Sequence, residues 1–375
     1  MVRILHFADL HLDSSFASVG MASSEASRRR EELRAALRRI VDLALERNVD
    51  AVTVGGDLYE HDRVTLDTGR FIASQFQRLA PKPVLVAPGN HDRCVPDSLY
   101  RQLDWPDNVH IFYGMDWQAV TVADSIAVWG AGHNGPAVRQ NLLRELRLDP
   151  SRPAVALLHG SDASAVPEGK MAHCPFEAED VDRCGAAFVL LGHYHRMRLW
   201  PAASPRCGYP GSPEPLGFDE GGPHYVLLLT VGDGESSAEP LQINEVSYRT
   251  ERVDVAGMST SDQVREAIVS LSGDGSPSPD IVRVLLEGQA EPHLDLGGEA
   301  LLSATADRFR YLDIVDQTHP AFELDELAEE ATTRGAFVRL MGRRIEVAAG
   351  PDLERLENAL RYGLQAFANL EVRPR

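Results

Sequence analysis

Short apolar runs alternate with longer amphipathic segments through the first half of the chain. The runs are VRILHF, DAVTVGGD, PVLVAPGN, IAVWGAG, AVALLHG and AAFVLLGH, and most of them stop at a glycine. Between the first two runs, residues 24–48 place Leu33, Leu37, Ile40 and Val41 on one helical face. Apolar runs that alternate with helices in this way predict an α/β sheet with helices on its faces, in which the later strands run antiparallel.

The last part of the chain has a similar mixture on a smaller scale. The small and polar residues over 233–240 predict a linker. Beyond it we expect a helix near 261–272, the strand DIVRVLLEG, the acidic helix ELDELAEEATTRG, the strand FVRLMGRRIEV and the final helix DLERLENALRYGLQAFANL. The apolar stripe of that final helix docks either on the body of the chain or on a partner. The order of the predicted strands and helices along the chain indicates an α/β domain over 1–232 and a smaller α+β domain over 241–375.

Charge and cysteine content narrow the function classes. The chain has 375 residues and a formal net charge of −19, which disfavours a protein whose own surface binds an extended nucleic acid. We interpret the arginines within residues 28–39 as the solvated face of a helix that covers the sheet. The four cysteines form no CxxC pair, and no segment has the character of a bilayer span or a leader peptide. We therefore expect reduced thiols and a cytoplasmic protein with no membrane partner.

Polar side chains with metal-binding chemistry stand where the apolar runs end. The runs lead, in order, into Asp9 and His11, into Asp57, into Asn90, His91 and Asp92, into His159, and into His193 and His195. The carboxyl ends of strands in an α/β sheet border one crevice, so side chains far apart in sequence can converge there. Taken singly, each motif is equally typical of a turn or of a satisfied polar pair. Their ordered recurrence at strand ends favours a shared site.

The donor set indicates two metal ions. Carboxylate and amide oxygens with imidazole nitrogens and no thiolate suit manganese, iron or zinc. Asp9, Asp57, Asn90 and the four histidines other than His91 exceed the needs of one ion. A pair of ions about 3.5–4 Å apart, bridged by one carboxylate, uses all of them.

The ordered motifs Asp-x-His, Gly-Asp, Gly-Asn-His-Asp, His and Gly-His-x-His resemble those of the calcineurin-like metallophosphoesterase superfamily over residues 1–232. Within it, ILHFADLHLDSSF, GGDLYE, APGNHD, LLGHYHR and YPGSPEPLGFDE resemble the DNA repair exonuclease branch of SbcD-type nuclease subunits, which work with an SMC-like coiled-coil ATPase. The resemblance implies a layered β-sandwich flanked by helices. It also places residues 241–375 at the position of that branch's capping domain.

The resemblance implies a role for each residue of the site. Asp9, His11 and His195 would hold the first ion, Asn90, His159 and His193 the second, and Asp57 would bridge them. His91 would stand beside the scissile phosphate as general acid. The branch implies manganese, and a water activated by the two ions would attack phosphorus in line with the leaving group.

Glu60 is a further candidate catalytic residue. It lies three residues after Asp57, where several phosphatases of the superfamily carry an acid that orients the catalytic histidine. Our hypothesis is that Glu60 hydrogen-bonds His91 and raises its pKa. The alternative is a loop acid that faces solvent.

Three other histidines are interpreted as structural. His6 lies on the opposite face of the first strand from Asp9 and is expected to be packed. For His133 the alternative is a contact with substrate. For His173 the alternative is a metal pair with Cys174.

These features leave three functions open. The leading prediction is a metal-dependent DNA nuclease, an exonuclease or endonuclease acting on DNA ends in repair, with DNA and an SMC-like ATPase as partners; a homodimer is also compatible with the sequence. The alternative is a metallophosphoesterase that acts on a small nucleotide or a phosphoprotein, which the overall acidity favours. The third is a binding scaffold without catalysis. A scaffold that keeps the fold without catalysis would be expected to lack some of the metal-ligating residues, but each motif position carries its ligand residue in this sequence.

Overall fold

The computed structural model describes residues 1–166, 171–232, 235–273, 278–291, 294, 296, 298–322 and 324–368. The chain divides into two compact units, Met1–Arg249 and Thr250–Arg375. Within the described ranges, each helix is too short or too polar to cross a lipid bilayer.

The first unit holds twelve strands and four α-helices among its described residues. The strands are β1 (Val2–Phe7), β2 (Ala51–Val54), β3 (Val84–Val86), β4 (Val109–Ile111), β5 (Gln118–Val122), β6 (Ile126–Ala131), β7 (Ala154–His159), β8 (Phe188–Gly192), β9 (Arg198–Trp200), β10 (Cys207–Tyr209), β11 (Tyr225–Gly232) and β12 (Glu235–Gln242). The helices are α1 (Ser23–Glu46), α2 (Leu66–Gln77), α3 (Leu99–Gln102) and α4 (Ala178–Arg183).

The strands form two six-stranded sheets. One has the order β12-β11-β1-β2-β3-β4 and the other the order β5-β6-β7-β8-β10-β9. Strands β1 to β4 pair in parallel, and so do β6, β7, β8 and β10. Strands β5, β9, β11 and β12 pair antiparallel with their neighbours. The parallel pairing brings the carboxyl ends of β1, β2 and β3 to one edge of the first sheet, and those of β7 and β8 to one edge of the second.

The two sheets share a buried core, and helices cover their outer faces. Alternation along β1 sends Ile4 into the core between the sheets and Leu5 into the layer beneath α1. His6 faces the same way as Ile4; it is fully buried and hydrogen-bonds the Thr53 hydroxyl and the Leu191 carbonyl, both at 3.0 Å. The expected packing of His6 is therefore found. The predicted layered β-sandwich flanked by helices is confirmed.

Helix α1 differs from expectation at Arg29. The stripe of Leu33, Leu37 and Ile40 is buried as predicted, but Arg29 is buried as well, with 0% of its surface exposed. Its guanidinium donates to the Pro215 carbonyl at 2.8 Å. Because Arg29 lies four residues before Leu33, it belongs to the buried face of the helix. The interpretation of this arginine as part of a solvated face is wrong.

The predicted linker over 233–240 is also wrong. Residues 235–242 form β12, which pairs with β11 from Gly232↔Glu235 to Tyr225↔Gln242, and residues 233 and 234 lie outside the described ranges. Strand β12 is the edge of its sheet, where polar side chains and Pro240 are tolerated because one side faces solvent. The composition that suggested a linker is that of an edge strand.

The second unit mixes strands and helices, as expected. Its elements are β13 (Tyr248–Asp254), which begins at the unit boundary, then α5 (Ser261–Ser270), β14 (Ser278–Glu287), β15 (Gln289–Ala290), α6 (Gly298–Thr305), β16 (Phe309–Asp316), β17 (His319–Pro320), α7 (Leu324–Glu329), α8 (Thr333–Ile345) and α9 (Pro351–Phe367). Strands β13, β14 and β16 form a three-stranded sheet with β14 in the middle. That this unit caps the first one stays a prediction.

The strand predicted for FVRLMGRRIEV is wrong, because these residues belong to helix α8. Thr332 caps that helix by accepting the Gly335 N–H at 3.1 Å. Val338 and Met341, three residues apart, are buried against Leu360 and Leu364 of α9. The apolar stripe of the final helix thus docks within its own unit, which decides between the two alternatives.

Candidate metal centre

Tight turns carry the polar residues that follow β1 and β2. Asp9, His11 and Asp57 have φ angles of 55°, 49° and 51°, in the left-handed region that L-residues rarely adopt. The Asp9 N–H donates to the Gly56 carbonyl at 3.0 Å, and the His11 N–H donates to the Asp57 carbonyl at 2.9 Å. These turns, rather than the alternation of an extended strand, bring the side chains together. Strained backbone of this kind clusters at functional sites.

We call Asp9, His11 and His195 the first group. Their ligand atoms all lie within 4.8 Å of one another, and Nε2 of His11 is 3.2 Å from Nε2 of His195. On the other side of each ring, His11 Nδ1 is 2.7 Å from Glu60 Oε1 and His195 Nδ1 is 2.6 Å from Glu220 Oε1. Carboxylates accept, so both Nδ1 atoms carry the proton. The two Nε2 atoms are therefore the nitrogens available to a shared metal ion.

We call Asn90, His159 and His193 the second group. Nε2 of His159 lies 3.0 Å from Asn90 Oδ1 and 3.3 Å from His193 Nδ1. Its other nitrogen, Nδ1, donates to the Gly55 carbonyl at 2.8 Å. This backbone bond fixes the orientation of the His159 ring, so that Nε2 is the nitrogen that faces the other two side chains.

Asp57 lies between the two groups. Its Oδ2 is 3.8 Å from Nε2 of His11 and 3.3 Å from Nε2 of His159. Its Oδ1 accepts the backbone N–H of His91 at 2.8 Å. A single carboxylate oxygen thus borders both groups, which is the position that a bridging ligand needs.

The donor set fits a pair of divalent cations. The two carboxylates of Asp9 and Asp57 are 0% and 2% exposed, and buried carboxylates require compensating positive charge. In the first group the Nε2 atoms of His11 and His195 lie 3.2 Å apart, and in the second Nε2 of His159 lies 3.3 Å from Nδ1 of His193, so that deprotonated nitrogens in each group would turn their lone pairs toward a shared ion. A cation in each group would satisfy these lone pairs and the carboxylates together. Oxygen and imidazole donors are those that manganese, iron and zinc accept.

His91 stands at the edge of this cluster, with its side chain 45% exposed. Glu60 holds it: Oε2 is 2.9 Å from His91 Nδ1, while Oε1 accepts from His11. This hydrogen bond raises the pKa of His91 to about 9. Burial opposes ionisation of Glu60, but the hydrogen bonds from His11 and His91 lower its pKa to about 2. Glu60 therefore does contact His91 as hypothesised, and it also contacts a residue of the first group, which the sequence did not predict.

The cluster opens into a cleft of about 740 Å³. Besides Asn90, His91, His193 and His195, the side chains that line it include Tyr194, Arg196 and Arg198. A volume in this range accommodates a small ligand or the end of a longer one.

Asp92 is a supporting residue that sequence reasoning left without a role. It is fully buried and accepts the backbone N–H groups of Asp57 at 3.0 Å, Leu58 at 2.9 Å and Gly89 at 2.5 Å. Its Oδ2 also accepts the Tyr100 hydroxyl at 2.6 Å. Asp92 thus ties the turn that carries Asp57 to the turn that carries Asn90. The sequence feature that could have identified Asp92 is its place at the end of the Gly-Asn-His-Asp motif.

Glu220 is the second supporting residue that was missed. It is 8% exposed, and it accepts from His195 through one oxygen and from the Ser212 hydroxyl, at 2.8 Å, through the other. It ends the YPGSPEPLGFDE motif, which was noted in the sequence without a role for its acid.

The remaining histidines lie outside the two groups. His133 is fully buried, and its Nε2 donates to the His159 carbonyl at 2.8 Å, so it supports the backbone of a candidate ligand rather than contacting substrate. The His173 ring lies 5.4 Å from that of His193 and borders the cleft. Cys174 is buried in the apolar layer on the outer face of the second sheet. Among the described residues, the groups able to hold an ion include neither His173 nor Cys174.

Comparison with known proteins gives consistent matches. The family model of calcineurin-like phosphoesterases matches residues 2–197. The chain is 29% identical over 305 residues to the uncharacterized metallophosphoesterase YhaO of Bacillus subtilis (strain 168), covering 77% of this chain and 72% of that protein. It is 23% identical over 381 residues to the DNA double-strand break repair protein Mre11 of Methanopyrus kandleri, covering 90% of this chain and 78% of that protein. Among solved structures, TT1561 of Thermus thermophilus aligns with 64% of this chain and 98% of its own, at a TM-score of 0.38 and 16% identity.

Proposed function

The chain belongs to the calcineurin-like phosphoesterase family, and from this premise we propose that it is a two-metal phosphodiesterase that cuts DNA. Hydrolysis of a phosphoester with bound divalent metal is the chemistry that the family implies. The observation that carries the proposal is the convergence of both groups of donors on Asp57, with His91 beside them at an open cleft.

In this proposal the first group would hold one ion and the second group the other, and Asp57, which borders both groups, would serve as a ligand to either ion. When bound, the ions supply positive charge to the phosphoryl oxygens and make a water molecule nucleophilic near neutral pH. Glu60 and Glu220 orient the ligand histidines from behind, and the Gly55 carbonyl does the same for His159. The protein thus fixes the orientation of the ligand histidines before the ions bind.

In this proposal His91 is the side chain that donates a proton in the reaction. Glu60 accepts from Nδ1 of His91, which leaves Nε2 as the nitrogen that can protonate the leaving oxygen. The same carboxylate holds the ring in place and raises the pKa of His91 to about 9, which keeps the ring protonated at neutral pH. We therefore assign His91 as the general acid and Glu60 as its positioning residue.

Three observations support DNA as the substrate. The relative from Methanopyrus kandleri is named DNA double-strand break repair protein Mre11. The motifs of the first unit resemble those of repair exonucleases. Arg196 and Arg198 line the cleft beside His195, where they can contact phosphates that flank the scissile one. Because the net charge is −19, we propose that an SMC-like ATPase partner supplies the main DNA-binding surface.

A small phosphoester is the second candidate substrate. The acidic surface repels a long polyanion but leaves a small ester free to enter. The cleft of about 740 Å³ is of the size that small-molecule sites have. A small nucleotide or a phosphoprotein segment would use the same metal pair and the same general acid.

Assays with manganese on three substrates separate these candidates: linear duplex DNA, a single-stranded oligonucleotide and bis-p-nitrophenyl phosphate. We expect hydrolysis of the small ester and of at least one DNA substrate, and loss of about 100-fold or more in His91→Ala. His110→Gln is the matched control, because His110 lies on the edge strand β4 and contacts Phe112.

Turnover of the small ester with intact DNA, also in the presence of a coiled-coil ATPase partner, contradicts the nuclease proposal and favours the second candidate. If no substrate is hydrolysed with manganese, iron or zinc, the enzymatic proposal fails.

A further inference from the structure

The loop over residues 210–220 reaches the candidate metal centre from outside the strand ends. It connects β10 to β11 without a helix or strand of its own. Its last residue, Glu220, accepts from His195 Nδ1 at 2.6 Å. The direction of the His195 ring, and of its Nε2 lone pair, therefore depends on where this loop lies.

Glu220 is tied to its own loop more than to the rest of the site. Its Oε2 accepts the Ser212 hydroxyl at 2.8 Å and the Leu216 N–H at 3.1 Å. These hydrogen bonds hold the loop residues Ser212 and Leu216 against the Glu220 carboxylate. A shift of the loop would move the Glu220 carboxylate with it and release His195.

Arg29 of helix α1 anchors this loop from the far side. Its guanidinium donates to the Pro215 carbonyl at 2.8 Å and forms an ion pair with Glu32. It lies between the rings of Phe16 and Tyr248, with 5.5 Å from its central carbon to each ring centre. With the arginine fully buried, its removal would leave the Pro215 carbonyl and the Glu32 carboxylate without this donor.

Arg39, on the same helix, makes a parallel contact. It pairs with Glu214, whose Oε1 also accepts the Glu245 N–H at 2.9 Å. It donates to the Ile243 carbonyl at 3.2 Å as well. Two arginines of α1 thus hold consecutive loop residues, but only Arg29 is completely withdrawn from solvent.

We propose that Arg29 is a positioning residue for the first group of metal ligands, acting through Pro215 and Glu220 on His195. The inference rests on the proposed function, because it requires a cation in the first group. A buried charge often adds little stability compared with an apolar residue of similar size, so the geometry that Arg29 imposes accounts for its presence. Carboxylates behind ligand histidines typically contribute about 10–100-fold to metal affinity.

The test is calorimetric titration of the metal-free full chain with Mn²⁺, comparing wild type, Arg29→Met and Arg34→Met. Arg34 is the matched control, because it lies on the same helix but donates to Asp67 and Thr68. We expect wild type to bind two ions. Arg29→Met should weaken one site about tenfold or more and leave the other unchanged, while Arg34→Met should bind as wild type does.

Two further variants identify the route. Glu220→Gln should reproduce the loss at the same site, and the double variant should lose no more than the worse single one, because both substitutions act on one contact. His195→Ala removes a ligand of the first group directly, so the site that it weakens in the titration identifies the first group. A merely structural role for Arg29 would weaken both sites alike.

Wild-type affinity at both sites in Arg29→Met overturns the inference, and so does an equal loss at both sites. If Arg29→Met does not fold by circular dichroism, Arg29→Lys takes its place, since lysine keeps the charge but lacks the fork that reaches both Pro215 and Glu32. It must show the same selective loss, and unchanged binding in Arg29→Lys and Glu220→Gln overturns the inference. A wild-type chain that binds no Mn²⁺ pair refutes the proposed function instead.

Discussion

Replacement of Asp92 by asparagine should uncouple the turns that carry Asp57 and Asn90. Each oxygen of the buried Asp92 carboxylate accepts two donors: Oδ1 accepts the N–H groups of Asp57 and Gly89, and Oδ2 accepts the Leu58 N–H and the Tyr100 hydroxyl. An amide of the same shape has only one oxygen. Whichever way it turns, its NH₂ group faces at least one backbone N–H, which then loses its acceptor.

The cost follows from this count of donors. One buried N–H without an acceptor costs about 1–3 kcal/mol, and the remaining hydrogen bonds lose their charge assistance. We therefore expect the free energy of unfolding to fall by about 2–4 kcal/mol. For a unit of this size, that corresponds to a melting temperature lower by roughly 5–15 °C. Tyr100→Phe removes only the hydroxyl donor at 2.6 Å and strands no N–H, so its loss should be smaller, about 1–2 kcal/mol.

Thermal unfolding measured by circular dichroism checks both values. EDTA is present throughout, because a bound ion would add its own stabilisation to the folded state. Asp104→Asn is the control, because Asp104 is exposed on the surface of the same unit. Asp92→Asn should also lower manganese affinity, since Asp57 and Asn90 supply oxygens to both groups.

A melting temperature for Asp92→Asn within about 1 °C of the control would refute this reasoning. It would mean that the N–H groups find other acceptors and that Asp92 does not hold the two turns together. A larger loss of unfolding free energy in Tyr100→Phe than in Asp92→Asn would refute the argument that the loss depends on how many N–H groups are left without an acceptor.

The remaining predictions concern the metal pair and its general acid. His91→Ala should retain both ions and lose most hydrolysis, whereas Asp57→Ala should lose metal as well; elemental analysis with steady-state rates distinguishes them. In Glu60→Gln the pKa of His91 should fall, because its raised value comes first from the hydrogen bond to Glu60. Activity that needs protonated His91 is lost as pH rises through that pKa, so the basic limb of the pH–rate profile should move to lower pH. Removal of metal with EDTA should abolish hydrolysis and lower the melting temperature, and manganese at about 100 times its Kd should restore about 2.7 kcal/mol of stability.

Each of these predictions has a contradicting result. Equal metal loss in His91→Ala and Asp57→Ala would remove the distinction between general acid and bridging ligand. An unchanged basic limb in Glu60→Gln would show that Glu60 does not hold the His91 proton. A melting temperature indifferent to manganese would show that the two groups do not bind ions in the folded state.

Much of the first unit could be predicted from local sequence. Strand β1, the apolar stripe of α1 and the order of motifs at the strand ends are properties of neighbouring residues, so period and composition reveal them. The same reasoning went wrong at residues 337–347, where branched and aromatic residues suggested a strand. There the three-residue spacing of Val338 and Met341, together with the cap at Thr332, produces a helix against α9.

The supporting residues of the candidate metal centre depended on distant contacts. Asp92 was visible in its motif, but its three N–H donors belong to turns that only the folded sheet brings together. The four-residue spacing to Leu33 places Arg29 on the buried face of α1, but Arg29 and Pro215 are 186 residues apart, so no local pattern reveals its partner.

The sequence by itself indicated which side chains have metal-binding chemistry, because donor type and strand-end placement are local properties of short motifs. The tertiary structure decided which nitrogens of His11, His159 and His195 face the candidate metal centre and which distant groups hold them there. Orientation depends on hydrogen bonds that the histidines donate to Glu60, Glu220 and the Gly55 carbonyl. The positions of these acceptors follow from how the strands and loops pack rather than from spacing along the chain.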